Sequence, residues 1–265
     1  MSTRPAAARP DGAGDAAAAA VRDAAAALGE RVRELSFGAP VAFVYNPLSY
    51  AWAAHEQYIL RYASAGARVV FVGMNPGPWG MAQTGVPFGE VASVREWLGI
   101  QADIGRPPRE HPKRPVDGLE TVRSEVSGRR LWGLFRERFT TPERFFSQHF
   151  VANYCPLLFL EESGRNRTPD RLRVTERDTL FGACDEHLRR LLAALEPEWV
   201  IGVGGFAEAR IRQALGADPG VVSRPRIGRI LHPSPASPHA NRGWAAAAVR
   251  KLEDLGVWPL TPPGA

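Results

Sequence analysis

Three polar residues each follow a short apolar run of the kind that forms a buried strand. The runs end at residues 72, 152 and 231, and the polar residues that follow them are Asn75, Asn153 and His232. Ligands of open α/β sheets bind beyond the carboxyl ends of the strands, so neighbouring strands would bring these side chains into one crevice. Amides can orient water or read a polar edge, and an imidazole can stabilise a growing negative charge. The three together favour a hydrolytic site.

Each of the three also has a purely structural interpretation. Asn75 precedes Pro76, and Asn-Pro pairs favour turns. A single Asn153 at a strand end is typical of a cap or turn, and His232 could be a histidine that binds nothing. Turn chemistry does not place all three at one sheet edge, and their joint occurrence therefore favours a shared site.

The rest of the chain supplies the elements that would position such a site. Apolar runs predict strands, and apolar periodicity predicts helices between them. The expected strands are 41–45, 69–72, 149–152, 199–203 and 229–231, and the expected helices are 15–36, 53–65, 131–139, 175–195, 205–215 and 240–255. This alternation predicts an α/β fold with a mainly parallel sheet covered by helices on both faces. Residues 1–14 are expected to be disordered.

The composition excludes several classes of protein. With 265 residues, 45% of them apolar, the chain can form one sizeable core. It has no run of about 18 apolar residues and no apolar N-terminal region, so we expect neither a membrane span nor secretion. Cys155 and Cys184 are too few for a disulfide framework or a four-cysteine iron–sulfur cluster, and no metal or cofactor is expected. A net charge of +5 is compatible with an anionic partner.

Two polar segments lie outside these strands. In 232–244, Ser237 is a suitable N-cap with Pro238 in the first turn of a helix that runs towards Leu255. A helix start behind a stiff proline-rich loop suits phosphate contact, and a purely structural capped helix is the alternative. The Pro- and Arg-rich segment 101–130 is expected to be an exposed excursion, with plain surface favoured over nucleic-acid contact.

Four motifs of the chain resemble those of a known family. The run GMNPGPWGMAQTGVPFG at 73–89 resembles the first motif of single-strand-selective monofunctional uracil-DNA glycosylases, the SMUG-type branch of the uracil-DNA glycosylase superfamily. NYCPL at 153–157 resembles the middle motif, and 232–244 resembles the last one, from HPSP to NRGW. YNPL at 45–48 resembles an upstream segment, and the similarity covers residues 40–258 with all motifs in order.

The resemblance implies a fold and a function. The fold would be a three-layer α/β/α sandwich around a mainly parallel four-stranded sheet, with one catalytic domain over 37–260 behind an N-terminal segment, 1–36. The function would be base-excision repair. Such an enzyme hydrolyses the N-glycosidic bond of uracil and 5-substituted uracils in single- and double-stranded DNA and leaves an abasic site. We expect a monomer whose partner is DNA containing uracil or an oxidised pyrimidine, located in the cytoplasm at a bacterial nucleoid or in a nucleus.

The resemblance also implies a role for each motif residue. Asn75 would hold the attacking water, and His232 would face the uracil O2, where negative charge develops. Asn153 would bond the Watson–Crick edge of the flipped base, and Phe88 would stack on its face. The pocket would be lined by Gly73, Met74 and Gly77. The residues that would wedge into the vacated stack or contact DNA are Pro233, Ser234, Pro235, Ala236, Ser237, Pro238, His239 and Arg242.

The chain departs from the family pattern at two positions. Trp79 stands where Phe is more usual, which conserves an aromatic ring. Ala236 stands where vertebrate members carry an arginine in the wedge. The second exchange leaves loop 233–239 with little side chain to fill a duplex, for which His239 and Arg242 could compensate.

The residue types fit this chemistry. In the transition state the sugar is positive and the departing pyrimidine negative, and a histidine donor would stabilise that anion. Asn75 cannot ionise, so it would orient water rather than deprotonate it, and we expect a slower enzyme than one with Asp there. A lyase would need an amine nucleophile, yet the two lysines, Lys113 and Lys251, lie outside the motifs. Hydrolysis without strand cleavage is therefore favoured.

Three other interpretations stay open from the sequence. A mismatch-type thymine/uracil glycosylase shares the Asn-Pro-Gly start of the first motif, although residues 81–88 favour the SMUG-type branch. A non-catalytic DNA-damage binder could use the same loop, but the presence of all three polar groups counts against it. A nucleotide-cofactor enzyme would need a phosphate-binding loop, and residues 202–206 lack the third glycine of one.

Overall fold

The structure, a computed structural model, describes residues 11–216 and 224–260, and helices and strands alternate through most of them. Besides single turns of 3₁₀ and π-helix, the elements in chain order are α1 (Asp11–Arg33), β1 (Phe43–Tyr45), α2 (Pro47–Tyr50), α3 (Trp52–Tyr62), β2 (Val69–Gly73), α4 (Met81–Thr84), α5 (Val126–Phe139), α6 (Pro142–Phe146), β3 (His149–Asn153), β4 (Leu158–Leu160), β5 (Asn166–Arg167), α7 (Val174–Leu195), β6 (Trp199–Val203), α8 (Gly205–Gly216), β7 (Arg226–Ile230), α9 (Pro238–Asn241) and α10 (Trp244–Asp254). Most of the predicted elements are present, with ends displaced by a few residues.

The central sheet contains four parallel strands in the order β3-β2-β6-β7. The inner strand β2 is buried along its whole length, which explains why its sequence is apolar without alternation. Val70 is registered with Phe150, and side chains alternate along a strand, so Phe71 and Phe150 face opposite sides. Phe150 stacks on Tyr58 of α3, and Phe71 packs against Phe135 of α5. Helices therefore cover both faces, and the predicted three-layer fold class is confirmed.

The N-terminal helix α1 contributes to the main core. Its apolar side, including Val21 and Leu28, is buried in the same cluster as the sheet, and the helix packs against α7 and α3. Because α1 begins at Asp11, the disorder expected over 1–14 is wrong for the last four of those residues, while residues 1–10 lie outside the described part. In the part of the chain that the structure describes, no helix is long and apolar enough to cross a bilayer.

The strand predicted at 41–45 exists but does not join the parallel sheet. β1 pairs antiparallel with β4, and β4 pairs antiparallel with β5, which makes a second sheet of three strands. The expectation of another parallel strand is wrong, because a short apolar run shows that a segment is buried but not which strand it pairs with. The sequence interpretation missed β4 and β5. The three residues of β4 directly follow the middle motif and were not counted as a separate apolar run.

The chain after β7 differs from the single helix predicted over 240–255. β7 ends at Ile230, and His232 therefore lies in a loop two residues beyond the strand. As predicted, the Ser237 hydroxyl caps a helix, accepting a backbone N–H at 3.4 Å. That helix, α9, spans only four residues, and Gly243, with a φ of 113°, separates it from α10. The continuous helix is wrong because glycine permits a left-handed break that the Ala-rich pattern does not reveal.

Candidate active site

Three of the predicted pocket residues meet at the carboxyl edge of the sheet. Gly73 and Asn153 end neighbouring strands and are directly in register. An ideal Cβ placed on Gly73 would lie 2.4 Å from Asn153 Oδ1 and 2.4 Å from Phe88 Cε2. The amide and the aromatic ring therefore stand together over the glycine backbone, and any side chain at this position would collide with both.

Phe88 links the Asn153 side of the site to the His232 side. The Phe88 and His232 rings lie with their centroids 6.2 Å apart, tilted by 39°. Phe88 has a φ of 54°, in the left-handed region that costs a residue with a side chain about 1–3 kcal/mol. The buried Thr84 stabilises this turn, because its hydroxyl donates to Gly89 O at 2.9 Å and accepts from Val86 N at 3.2 Å.

Asn75 is fixed by the middle motif. The pairing of β2 with β3 continues past the strands, since Cys155 N donates to Met74 O at 2.9 Å. The Asn75 amide nitrogen then donates to Leu157 O at 3.1 Å. Within the described residues, the Asn75 amide oxygen has no hydrogen-bond partner, and it is the atom left to accept from a water. Met74, Asn75 and Gly77 are each partly exposed, as expected of residues that border an open crevice.

His232 is a neutral group in this environment. Burial lowers the pKa of His232 to about 4, and no nearby charge contributes to the shift. An ideal Cβ on Gly204 would lie 3.1 Å from His232 Cβ, and Gly204 has a φ of 97°. The glycine that directly follows β6 therefore leaves room for the histidine.

The predicted wedge loop is held by a residue that the sequence interpretation missed. The Arg130 guanidinium of α5 donates to Pro233 O at 3.0 Å and to Asn241 Oδ1 at 2.9 Å. Asn241 in turn donates to Pro235 O at 2.9 Å. No local pattern marks Arg130, because its partners lie more than a hundred residues away.

The loop residues differ in exposure. Pro233 is buried and forms the base of the loop, so its ring is not available to DNA in this conformation. Ser234 and Ser237 are partly exposed. The residues whose side chains are open to solvent are Pro235, Ala236, Pro238, His239 and Arg242. The tip of the loop, rather than its base, is therefore the part that could enter a vacated stack.

Glu125, which the sequence did not single out, fills the space beside Gly77. Its carboxylate accepts from Trp79 N at 3.3 Å, and burial raises the pKa of the Glu125 carboxyl. An ideal Cβ on Gly77 would lie 2.5 Å from Glu125 Oε2. The direction of the side chain that Gly77 lacks is therefore not empty, because a carboxylate already occupies it.

The described residues offer no obvious metal centre. In residues 11–216 and 224–260, no three His, Cys, Asp or Glu side chains are grouped so that they could hold an ion. Both cysteines, Cys155 and Cys184, are free and buried.

Comparison with known proteins identifies the family. Residues 60–253 match the family described as the uracil DNA glycosylase superfamily. A Bos taurus protein named single-strand selective monofunctional uracil DNA glycosylase is 51% identical over 88% of this chain and 85% of its own length. The Rattus norvegicus protein of that name is also 51% identical, over 88% of this chain and 83% of its own.

A solved structure is similar in fold. The crystal structure of Pedobacter heparinus SMUG2 superposes with a TM-score of 0.64 at 15% identity, covering 89% of this chain and 97% of the other. At that identity the similarity concerns the fold alone. The family match and the two mammalian relatives go further and confirm the resemblance found in the motifs: the chain belongs to the uracil DNA glycosylase superfamily and, within it, to the single-strand selective monofunctional branch.

Proposed function

We propose that this protein is a monofunctional DNA glycosylase that hydrolyses the N-glycosidic bond of uracil and 5-substituted uracils, such as 5-hydroxymethyluracil. It would act on single- and double-stranded DNA and leave an abasic site. The observation that carries the proposal is that Asn153 and Phe88 meet above Gly73, while the His232 ring lies 6.2 Å from the Phe88 ring. An extruded pyrimidine could stack on the Phe88 ring while its polar edge faces Asn153. The names of the mammalian relatives add uracil in DNA as the substrate.

Asn153 suits the recognition of uracil over cytosine. Its amide can donate to O4 and accept from N3–H, whereas cytosine presents the opposite arrangement at these two positions. The amide stands directly over Gly73, whose missing side chain lets the amide and the Phe88 ring approach the backbone of β2.

Hydrolysis would depend on His232 and Asn75. A neutral imidazole N–H can donate to O2 and stabilise the anion of the departing base without transferring a proton. The free amide oxygen of Asn75 can orient a water towards the anomeric carbon, which suffices for a loose, dissociative reaction. Lys113 and Lys251 are both exposed and outside these motifs, so the proposal includes no Schiff-base step.

A base-release assay tests this function. Purified protein is incubated with a single-stranded oligonucleotide that carries one uracil, and free uracil and strand integrity are measured. Uracil release with an intact strand, cleaved only after alkali, is expected. Binding without release would instead support a non-catalytic damage binder, and release of thymine from a G·T mismatch in preference to uracil would support the mismatch-type enzyme.

The pH dependence of excision follows from the neutral state of His232. Because its pKa is lowered from 6.5 to about 4, the rate should show no inflection near pH 6.5. The single-turnover rate is measured between about pH 8 and about pH 5.5, and an inflection near the usual histidine pKa would contradict a neutral donor. Lower pH is avoided because burial also lowers the pKa of His55, His149 and His187 to about 4. In the unfolded chain these histidines bind protons near pH 6.5, whereas in the folded chain they bind protons only near pH 4. The free energy of unfolding therefore falls as pH drops from 6.5 towards 4.

We propose that the Gly77 backbone lies beside C5 of the base and that the pocket admits a substituent on C5 at this point. A tyrosine at this position should therefore reduce excision of 5-hydroxymethyluracil more than excision of uracil. Because Glu125 occupies the space into which the new side chain would point, Gly77→Tyr is made in a Glu125→Ala background. The Glu125→Ala single variant is the matched control. Equal loss on both bases, relative to that control, would indicate general damage to the loop.

The remaining expectations concern the assembly and its place in the cell. We propose that the protein acts as a monomer. Its place of action would be where genomic DNA is, in a bacterial nucleoid or a nucleus. An oxidised pyrimidine would be a second class of substrate.

A further inference from the structure

A surface groove of about 500 Å³ lies beside the first motif. It is lined by Trp79, residues 112–115, Asp117 and residues 121–123, and is called the Trp79 groove below. Most of this lining belongs to the Pro- and Arg-rich excursion, which the sequence alone favours as plain surface.

The groove carries uncompensated positive charge. Lys113 and Arg123 are exposed, and Arg114 is partly exposed. Across residues 11–216 and 224–260, twelve ion pairs form, and none of them includes these three side chains. Asp117 is the one acidic residue of the lining, so the groove presents net positive charge to solvent.

The cations are ordered by an aromatic ring. The Arg123 guanidinium carbon lies 4.5 Å from the centre of the Trp79 ring, and that of Arg114 lies 5.4 Å from it. Cation–π contact orients the guanidinium without consuming its N–H donors. The Arg123 side chain makes no hydrogen bond to any residue that the structure describes, so its donors are available to an anion.

The groove is rigidly joined to the loop that carries Asn75. The fully buried Gln83 donates to Pro78 O and to Pro115 O, both at 2.9 Å, and accepts from Asp117 N at 2.9 Å. Trp79 itself follows Asn75 by four residues, and its N–H is held by Glu125. The excursion is therefore attached to the first motif, which also carries Asn75.

We propose that the Trp79 groove binds the phosphodiester backbone of the DNA strand next to the extruded nucleotide, with Arg123 and Lys113 contacting phosphates. The proposal rests on the proposed function, since that function places a DNA strand at the rim of the pocket. Bidentate guanidinium donors and exposed ammonium groups are the chemistry that phosphate contacts require. On this assignment the excursion is a substrate-binding surface.

The test is binding to a single-stranded oligonucleotide with a tetrahydrofuran abasic site, which the enzyme cannot turn over. Fluorescence anisotropy gives the Kd at several salt concentrations for wild type, Arg123→Gln, Lys113→Gln and the double variant. Arg144→Gln is the matched control, because Arg144 is exposed on α6, just before β3, and so lies at the opposite end of the sheet. Thermal unfolding confirms that each variant is folded.

The slope of log affinity against log salt is negative, and each phosphate contact that is lost should reduce its magnitude by about 0.7 on single strands. In the double variant the magnitude should fall by about twice that amount. The Arg144→Gln variant should match the wild type both in this slope and in single-turnover excision at saturating enzyme. If the double variant has the slope of Arg144→Gln, or if Arg144→Gln loses as much as Arg123→Gln, the groove assignment is wrong. Failure of the wild type to bind the oligonucleotide would instead refute the proposed function.

Discussion

His232→Ala and Asn75→Ala should each reduce single-turnover excision of uracil by at least about tenfold, and His232→Ala by up to about a thousandfold. A single donor at a developing oxyanion is typically worth about 10²–10³ in rate, and the His232 ring lies 6.2 Å from the Phe88 ring on which the base would stack. Asn75 has a different role, because its fixed amide would orient the water that attacks the sugar. Its removal should lower the rate without weakening binding of the base.

The two variants can be separated from simple damage to the fold. Excision is measured with enzyme in excess, and folding is checked by circular dichroism and thermal unfolding. Asn166→Ala is a suitable control for Asn75→Ala, since Asn166 is an exposed residue of the short strand β5. His232→Gln should recover part of the rate, because glutamine also offers a neutral N–H donor. Folded alanine variants with wild-type turnover would refute the mechanism.

The sheet and the three polar residues that follow its strands can be predicted from the sequence for a physical reason. β2 is buried on both faces and must therefore be a continuous apolar run, so the residue that follows it stands out. Parallel strands share one carboxyl edge, so the residues that follow β2, β3 and β7 are expected at that edge without any knowledge of the loops. The same reasoning fails for β1, whose antiparallel partner β4 lies more than a hundred residues along the chain.

The same reasoning does not identify the residues that hold the loops of the candidate site in place. Glu125 and Arg130 lie outside the motifs, and Gln83 lies inside the first motif without a role that the motif assigns to it. Each of the three binds backbone groups elsewhere in the chain. An arginine at a helix start or a glutamine in a short helix has the same local pattern whether or not it binds a distant loop. Such contacts arise from tertiary packing, and only the folded chain reveals that the excursion is attached to the first motif.

The support from Arg130 also changes the question that Ala236 raises. Arg130 and Asn241 bind the carbonyl groups of Pro233 and Pro235, so the residues directly before Ala236 are held in place. The alanine at position 236 therefore does not by itself leave the loop without support. If the loop acts as the proposed wedge, the missing arginine removes side-chain volume and charge rather than rigidity.

Gly73→Ala should reduce excision on the order of a hundredfold, although it adds only one methyl group. That methyl would lie 2.4 Å from both Asn153 Oδ1 and Phe88 Cε2, whereas ordinary contacts begin near 3.4 Å. Both side chains must therefore move by about 1 Å, a displacement that can cost about 10² in rate when it misplaces a base against its catalytic groups. The loss should appear on single and double strands alike, because it concerns the pocket rather than base flipping.

The control for Gly73→Ala is Gly133→Ala, since an ideal Cβ on Gly133 of α5 meets nothing within 4 Å. That variant should keep wild-type excision. A double-mutant cycle then tests the cause: in an Asn153→Ala background the added methyl loses one of its two collisions and should cost much less than in the wild type. If Gly73→Ala lowers activity equally in both backgrounds while the protein stays folded, the methyl acts somewhere other than on Asn153, and the pocket as assigned would lose its central contact.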